Sequence, residues 1–353
     1  MNFTHYIRRP DKSITLFVPG LPGLVGELKH LPEGDIPALK NLQHFLSRAE
    51  KKLVDISDWH AGLAALFQLK KLPAAELHYR RLAQTTGKNI FYMCADPVYI
   101  QPDLNSAVLL AHEELDLSLQ NAHELAAAIN AHFIDESWSL DVLSPHRWLM
   151  KLKQAPALET TPLAQILAQS ISHDLPQGDD SRYWQRIQNE IQMLLFAHPL
   201  NQQREAQGKL PVNSLWLWGE GILPEKASAD WQSIFGRGAL LDALASWSAC
   251  HRREIGISDK LVINGLAGKI LLAADDFVLT AQRHDLSAWI KALEQFEKNW
   301  MSVLLTLLAA GELDSVVLIA GNDMQFRLNR KRLKRWWRQT KPLTEILINS
   351  SFK

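Results

Sequence analysis

The chain has 353 residues, long enough to bury more than one core, and length alone favours two domains. Its 38 Lys and Arg balance 38 Asp and Glu, so no overall field recruits nucleic acid, a membrane surface or an acidic substrate, and any electrostatic partner must be met by a local patch. Cys94 and Cys250 stand in no C-x-x-C pair or finger-like spacing, which argues against a disulfide framework and a structural zinc. The first apolar run, ITLFV at 14–18, is too short for a signal sequence or a membrane span, so the expectation is a cytoplasmic protein with no membrane partner.

In chain order, residues 14–26 (ITLFVPGLPGLVG) are β-branched and aromatic until Pro and Gly interrupt them, the pattern of a buried parallel strand entering a loop. The following stretch, 36–53, places Leu39, Leu42, Phe45 and Leu46 at helical spacing, and WHAGLAALFQL repeats the pattern after Asp58. Two strands are predicted in NIFYMCADPVYIQPD and SAVLLA, then helices at 117–133 and 162–171 with a pair of short strands in 138–153 between them. The helix at 181–200 is the clearest, with Trp184, Ile187, Ile191, Leu194 and Leu195 on one face.

NSLWLWG, KILLAA and SVVLIAG then read as strands, alternating with helices at 239–253 and 286–311, the latter ended by Gly311. Strand and helix alternate on both sides of a middle stretch that reads as α+β. The predicted fold class is therefore α/β: a mostly parallel sheet covered by helices on both faces, with an inserted α+β lobe. The expected core spans 1–86 and 211–353, and the inserted domain 87–210. The tail RLNRKRLKRWWRQTK, 327–341, gathers eight basic residues and two tryptophans. Leu328, Leu333, Trp336 and Trp337 fall near one helical face, so a docked terminal helix with a solvated basic side is expected. Nucleic-acid contact through that basic helix is the alternative.

The run HPLNQQREAQGKLPVNSLWLWGEG, 198–221, resembles a segment of the archaeal-type cofactor-independent phosphoglycerate mutases, members of the alkaline phosphatase superfamily. There a His-Pro-x-Asn-x-x-Arg and a Pro-x-Asn precede a strand ending in Gly-x-Gly. VDISDWHAGLAALFQL resembles that family's Ser-Asp nucleophile turn, and MCADPVYIQPD resembles the start of its inserted domain. DPVYIQPD, NEIQMLLFAHPLN and NSLWLWGEG together are similar to the bacterial RpfE-type regulatory proteins, a phosphoglycerate mutase-like group, and that likeness runs along nearly the whole chain. The resemblance implies an alkaline phosphatase-like core.

It also implies a set of chemical requirements. The enzymes hold two divalent cations on Asp and His, activate a Ser or Thr, and offset phosphate charge with Arg or Lys. Where their first strand ends in a metal-binding Asp-Gly, this chain has Pro19 and Gly20; where their last core strand ends in Ala-Asp-His, it has Gly321 and Asn322, with Asp323 one step on. Two phosphate-binding arginines are replaced, one by Ile100 or Gln101 and the other by Trp218. Ser57 and Asp58 remain as vestigial catalytic candidates, although Ser-Asp at a helix start is equally an N-cap.

The resemblance makes His198, Asn201, Arg204, Asn213, Gly219 and Gly221 the candidate ligand-binding residues; a turn histidine is the competing reading for His198, and a purely structural, hydrogen-bonding role is the competing reading for Asn201, Arg204 and Asn213. Asp275 with Asp276, and His284 with Asp285, are the remaining clusters able to form a single metal site, with a solvated loop as the competing reading. The expectation is a degenerate phosphoglycerate mutase-like protein without metal or cofactor, acting on a small phosphorylated ligand or a protein partner by binding or regulation. A phosphotransferase or phosphatase using Ser57 with a rebuilt metal site is the alternative.

Overall fold

The structure, a computed structural model, describes residues 12–56, 58–82, 90–102, 107–167, 169–254, 267–321 and 323–348. In chain order its strands are β1 (Ser13–Phe17), β2 (Glu50–Leu53), β3 (Phe91–Pro102), β4 (Ala107–Ala111), β5 (Trp138–Ser144) and β6 (Arg147–Leu152). They continue with β7 (Ser214–Trp218), β8 (Ser233–Phe235), β9 (His251–Arg253), β10 (Lys269–Ala273), β11 (Ser315–Ile319) and β12 (Met324–Asn329). The chain divides into two compact units, one of Met1–Leu69 with Lys226–Lys353 and one of Lys70–Glu225.

The first unit is built on a seven-stranded sheet in the order β2-β12-β11-β1-β10-β8-β9. β1 lies in parallel register between β11 and β10, with Ser13 opposite both Ser315 and Lys269. β10, β8 and β9 continue the parallel set, while β12 and β2 are antiparallel at the other edge. Ile14, Leu16 and Phe17 are fully buried, as a central strand covered on both faces requires. This is the α/β class expected, a mostly parallel sheet with helices packed on it.

Helix Lys40–Arg48 contributes Leu42, Phe45 and Leu46 to the same core as Leu16, Leu318 and Phe326. Its N-cap position, Leu39, offers no side-chain acceptor. The missing cap comes from the other end of the chain. The long helical run expected over 286–311 is helical, but it is interrupted by a π turn at Glu297–Met301 between helices Leu286–Phe296 and Ser302–Ala310. That turn directs the buried Glu297 carboxylate onto the start of helix Lys40–Arg48, where it accepts from the backbone N–H of Asn41 at 2.7 Å and of Leu42 at 2.8 Å, and from Asn41 Nδ2 at 2.9 Å. A π turn inside a helix is an unfavourable irregularity that tends to persist where its geometry is used. Gly311, at φ 80°, ends the run in the left-handed conformation as the sequence indicates.

Three local expectations are corrected. Residues 50–53 are not the end of a helix: Ala49 turns extended at φ −64°, ψ 155°, and EKKL becomes the short edge strand β2 paired with β12. Its lysines suit an edge that must not recruit other strands. The helix expected over 162–171 is reduced to Leu163–Ile166. In the tail, residues 327–329 complete β12, helix lasts only over Arg330–Leu333, and Trp336 and Trp337 are 82% and 63% exposed rather than docked. Like charges stacked one turn apart (Arg330 with Lys334, Lys331 with Arg335) disfavour continuing the helix.

The second unit is an antiparallel α+β body. β3 is its spine, pairing with β6 through Phe91 to Cys94, with β7 through Cys94 to Val98, and with β4 beyond a register shift at Tyr99. β5 completes the sheet beside β6. Helices Leu119–His132 and Ser181–Ala197 bury Leu125, Ile129, Trp184, Ile187, Ile191 and Leu195 in one core with Met93, Trp148 and Leu217. β7, which a boundary at residue 210 assigns to the parallel sheet, instead pairs antiparallel with β3.

Replacing Glu297 by Ala should cost about 3 kcal/mol, because a buried and a half-buried backbone N–H lose a charged acceptor at once. Urea unfolding of E297A against the parent checks this. An unchanged midpoint would mean that helix Lys40–Arg48 is capped in another way.

Candidate functional site

In the first unit the carboxyl ends of β1, β10 and β11 form a crest, the place where ligands bind in open α/β sheets. Val18 N donates to Ile319 O at 2.9 Å and Ala274 N to Phe17 O at 2.9 Å, so the three strands stay in step to their ends. Beyond them the chain is packed backbone on backbone. Gly321 has φ 76°, and a Cβ there would lie 2.6 Å from Pro19 Cβ and 2.7 Å from Pro19 Cα. Gly20 has φ 83°, and a Cβ there would lie 2.7 Å from the Phe277 carbonyl carbon, while its own carbonyl accepts from Trp289 Nε1 at 3.2 Å. No side chain longer than hydrogen fits at either glycine without displacing main chain.

Asp58, Asp323 and Asp285 hold backbone N–H groups, whereas Asp275 makes no side-chain cap and burial raises its pKa, with the charge of Asp276 adding to the shift. Asp58 Oδ1 accepts from His60 N at 2.8 Å and Ala61 N at 3.0 Å, capping helix Trp59–Leu66. Asp323 Oδ1 accepts from Ile56 N at 3.2 Å, and its main chain exchanges further bonds with Ile56 and Val54. Asp275 and Asp276 open helix Asp276–Gln282, whereas Asp285 caps helix Leu286–Phe296 through Ala288 N at 2.9 Å. Among the described residues no three His, Cys, Asp or Glu gather as a metal would need. Ser57 and Asn322 lie outside the described residues. Among the described residues of the crest, Pro19, Gly20 and Gly321 supply no side-chain ligand atom for the two-metal chemistry that the resemblance implies.

Helix Trp59–Leu66 is seated by sterics. Trp59 stacks on Phe17 with centroids 5.3 Å apart and planes 9° from parallel, and Gly62 faces the same ring so closely that a Cβ would come within 2.0 Å of Phe17 Cζ.

In the second unit the run 198–221 is ordered and its polar groups are used. His198 is the N-cap of helix Pro199–Ala206, its Nδ1 accepting from Leu200 N at 3.2 Å. Asn201, 2% exposed, donates through Nδ2 to Leu195 O and Val212 O, both at 2.8 Å, and accepts from Val212 N at 3.0 Å. Arg204, 3% exposed, spends its guanidinium on the carbonyls of Leu210 at 3.0 and 2.9 Å, of Asp116 at 3.4 Å and of Leu115. Burial pulls its pKa down from the ordinary value, with the charge of Asp116 opposing. Asn213 clamps β3 by exchanging bonds with Ile100 N and O at 2.8 Å each. Gly219 and Gly221 have φ 73° and 143°, and a Cβ there would lie 3.0 Å from Ala74 Cβ and 3.1 Å from Pro73 Cβ respectively.

Reading the sequence for motifs misses the charged centre of this unit. Asp96 is fully buried on β3, where it accepts from Trp218 Nε1 at 2.7 Å and pairs with Arg147 of β6. The Arg147 guanidinium lies 4.9 Å over the Trp218 ring. Trp218 stands where the resemblance implies an arginine, yet a guanidinium reaches it from a neighbouring strand. Beside it, burial pushes the Cys94 thiol up to about 12, so it is no nucleophile. Glu220, between the two glycines, is buried against Lys71 and Thr160. An aspartate inside the apolar run of β3 was the signal for this cluster, since a buried carboxylate demands a partner.

No family model matches the chain. In sequence it is similar to a probable 2,3-bisphosphoglycerate-independent phosphoglycerate mutase of Geobacter sulfurreducens, 26% identical over 208 residues, 58% of this chain and 49% of that protein. A 2,3-bisphosphoglycerate-independent phosphoglycerate mutase of Methanothrix thermoacetophila is 34% identical over 100 residues, 28% of this chain and 25% of that protein. The matches thus span about half or less of the length of these curated relatives. Among solved structures, the PH0037 protein of Pyrococcus horikoshii superposes with a TM-score of 0.54 at 12% identity, covering 91% of this chain and 88% of that one. The relatives support a phosphoglycerate mutase-like family, and the solved neighbour supports the fold.

Asn201→Ala should destabilise the chain by about 3 kcal/mol, since three buried backbone partners lose a bond worth roughly 1 kcal/mol each. A residue held ready for ligand would show the opposite pattern: unchanged unfolding in urea and a loss confined to binding.

Proposed function

We propose that the protein is a degenerate phosphoglycerate mutase-like protein of the RpfE type that lacks the two-metal site and acts in the cytoplasm by binding, in a regulatory role, a small phosphorylated ligand or a protein partner. The observation that carries this reading is the contact between Pro19 and Gly321. At the two strand ends where the resemblance implies metal-binding carboxylate and imidazole, a proline ring occupies the space that a side chain at 321 would need. Neither residue has a ligand atom on its side chain, and the left-handed conformation of Gly321 disfavours any replacement that does.

The other candidates support the same reading by what they already hold. Asp58 and Asp323 are tied to main-chain N–H groups, and Asn201, Arg204 and Asn213 are saturated by carbonyls and amides. Such groups make rigid walls. A serine at 57 without a metal or an adjacent base would stay at its ordinary, high pKa and be a poor nucleophile. Among the described residues no helix is long and apolar enough to cross a membrane.

Elemental analysis of the purified protein should find no stoichiometric pair of divalent cations, and manganese should elicit no interconversion of 2- and 3-phosphoglycerate. About two equivalents of retained metal, or mutase turnover abolished by Ser57→Ala, would instead favour a phosphotransferase with a rebuilt site. Gly321→Asp should lower stability by about 2 kcal/mol or more and gain no metal affinity, because the new side chain is forced into Pro19.

A further inference from the structure

The basic tail of the first unit is anchored at both ends and exposed in the middle. Leu328, on β12, is fully buried, and helix Leu343–Ile348 buries Leu343, Ile346 and Leu347. Between these anchors the main chain is held as well. Asn329 caps the one-turn helix Arg330–Leu333 through Arg332 N at 3.0 Å, the buried Arg48 donates from Nε to Arg335 O at 3.2 Å, and Lys341 N donates to Ser47 Oγ at 2.9 Å. On this fixed backbone Trp336 and Trp337 stand 82% and 63% exposed, edge to face with centroids 6.1 Å apart. Large aromatic rings left in water on an ordered frame cost free energy that nothing within the described residues repays.

The surroundings define what would repay it. Residues 327–341 carry eight Lys and Arg and no acid. Arg332 is paired with Glu50 at 2.7 Å and Lys341 with Glu345, but Arg327, Lys331, Lys334 and Arg338 are exposed without a carboxylate partner among the described residues. An open groove of about 790 Å³ runs beside Trp337, lined by Lys51, Arg332, Arg338 and Lys341 together with Glu50 and Glu345, the acids paired to Arg332 and Lys341. Since the chain as a whole has no net charge, this is a local cationic field focused around two aromatic faces.

We propose that this surface binds single-stranded nucleic acid, with phosphates against the unpaired Arg and Lys side chains and bases stacked on Trp336 and Trp337. The polyanion supplies the charge, and every base offers a face for stacking. A duplex fits poorly, because the only helix amid the charges is a single turn, Arg330–Leu333, too short to fill a major groove. An anionic membrane fits less well also: within 324–348 the two tryptophans are the only large apolar side chains exposed among the described residues, so no aliphatic surface accompanies them into the acyl boundary. This inference does not depend on the phosphoglycerate mutase-like reading.

The test is fluorescence anisotropy of a labelled oligothymidylate of about 16 nucleotides with the full-length protein, beside a duplex of equal length and vesicles of phosphatidylserine and phosphatidylcholine. Binding to the single strand should weaken steeply as salt rises from about 0.05 to 0.2 M. Trp336→Ala with Trp337→Ala should weaken it by about tenfold or more, the paired Phe variants should restore most of it, and Lys334→Gln with Arg338→Gln should flatten the salt slope. All three double variants should melt with the parent, since the side chains are exposed. No binding, binding indifferent to loss of both rings, tighter binding of the duplex, or capture by vesicles without the oligonucleotide would each overturn the proposal.

Discussion

The contact of Pro19 with Gly321 is the steric constraint that shapes the crest of the first unit. The turn after β1 and the end of β11 meet at the crest of a parallel sheet, the position from which such folds present ligands and catalytic groups. Here the two turns touch main chain to ring, at a distance that admits no side chain on Gly321. Because β1 is locked in register with β10 and β11, the contact cannot open without shifting the centre of the sheet. The fold is retained, and at these two strand ends neither Pro19 nor Gly321 offers a side-chain ligand atom.

Polar groups elsewhere follow the same logic. A buried polar side chain must be paired, and the pairing tells whether it is held for a ligand or for the fold. Glu297 reaches a helix start nearly 260 residues away in sequence, by way of a π turn that a regular helix would not provide. Asn201, Arg204 and Asn213 each satisfy main-chain groups that would otherwise be orphaned by the turns around them. Asp96 and Arg147 neutralise one another inside the second unit, and Trp218 donates to the same carboxylate oxygen. These interactions make a rigid frame, and the exposed tryptophans of the tail are conspicuous against it.

Elements with a strong period were legible from the sequence. β1, β10 and β11 announce themselves as apolar runs, and helix Ser181–Ala197 by its single apolar face. What escaped depended on partners distant in the chain. EKKL reads as the continuation of a helix because nothing local shows that β12 will pair with it, and β7 reads as one more parallel strand because its partner β3 is more than a hundred residues earlier. The tail departs from its pattern for a different reason: Trp336 and Trp337 fit a helical face by spacing, but the helix stops at Leu333 and the face never forms. At the candidate site, the departure from the pattern that the resemblance implies was visible in the letters at 19 and 321. That a proline fills the space was not, since contact between two turns 300 residues apart is a property of the sheet.

The most direct measurement is the melting temperature of the full chain in EDTA and in millimolar manganese or zinc. A ligand bound only by the native state at about one hundred times its Kd adds about 2.7 kcal/mol of stability, which a melting curve resolves readily. A crest closed by Pro19 and Gly321 predicts coincident curves in all three conditions. A saturable rise in melting temperature with either metal, lost in Asp323→Ala or Asp275→Ala, would contradict it and show that a metal site has been rebuilt from the acids at the strand ends.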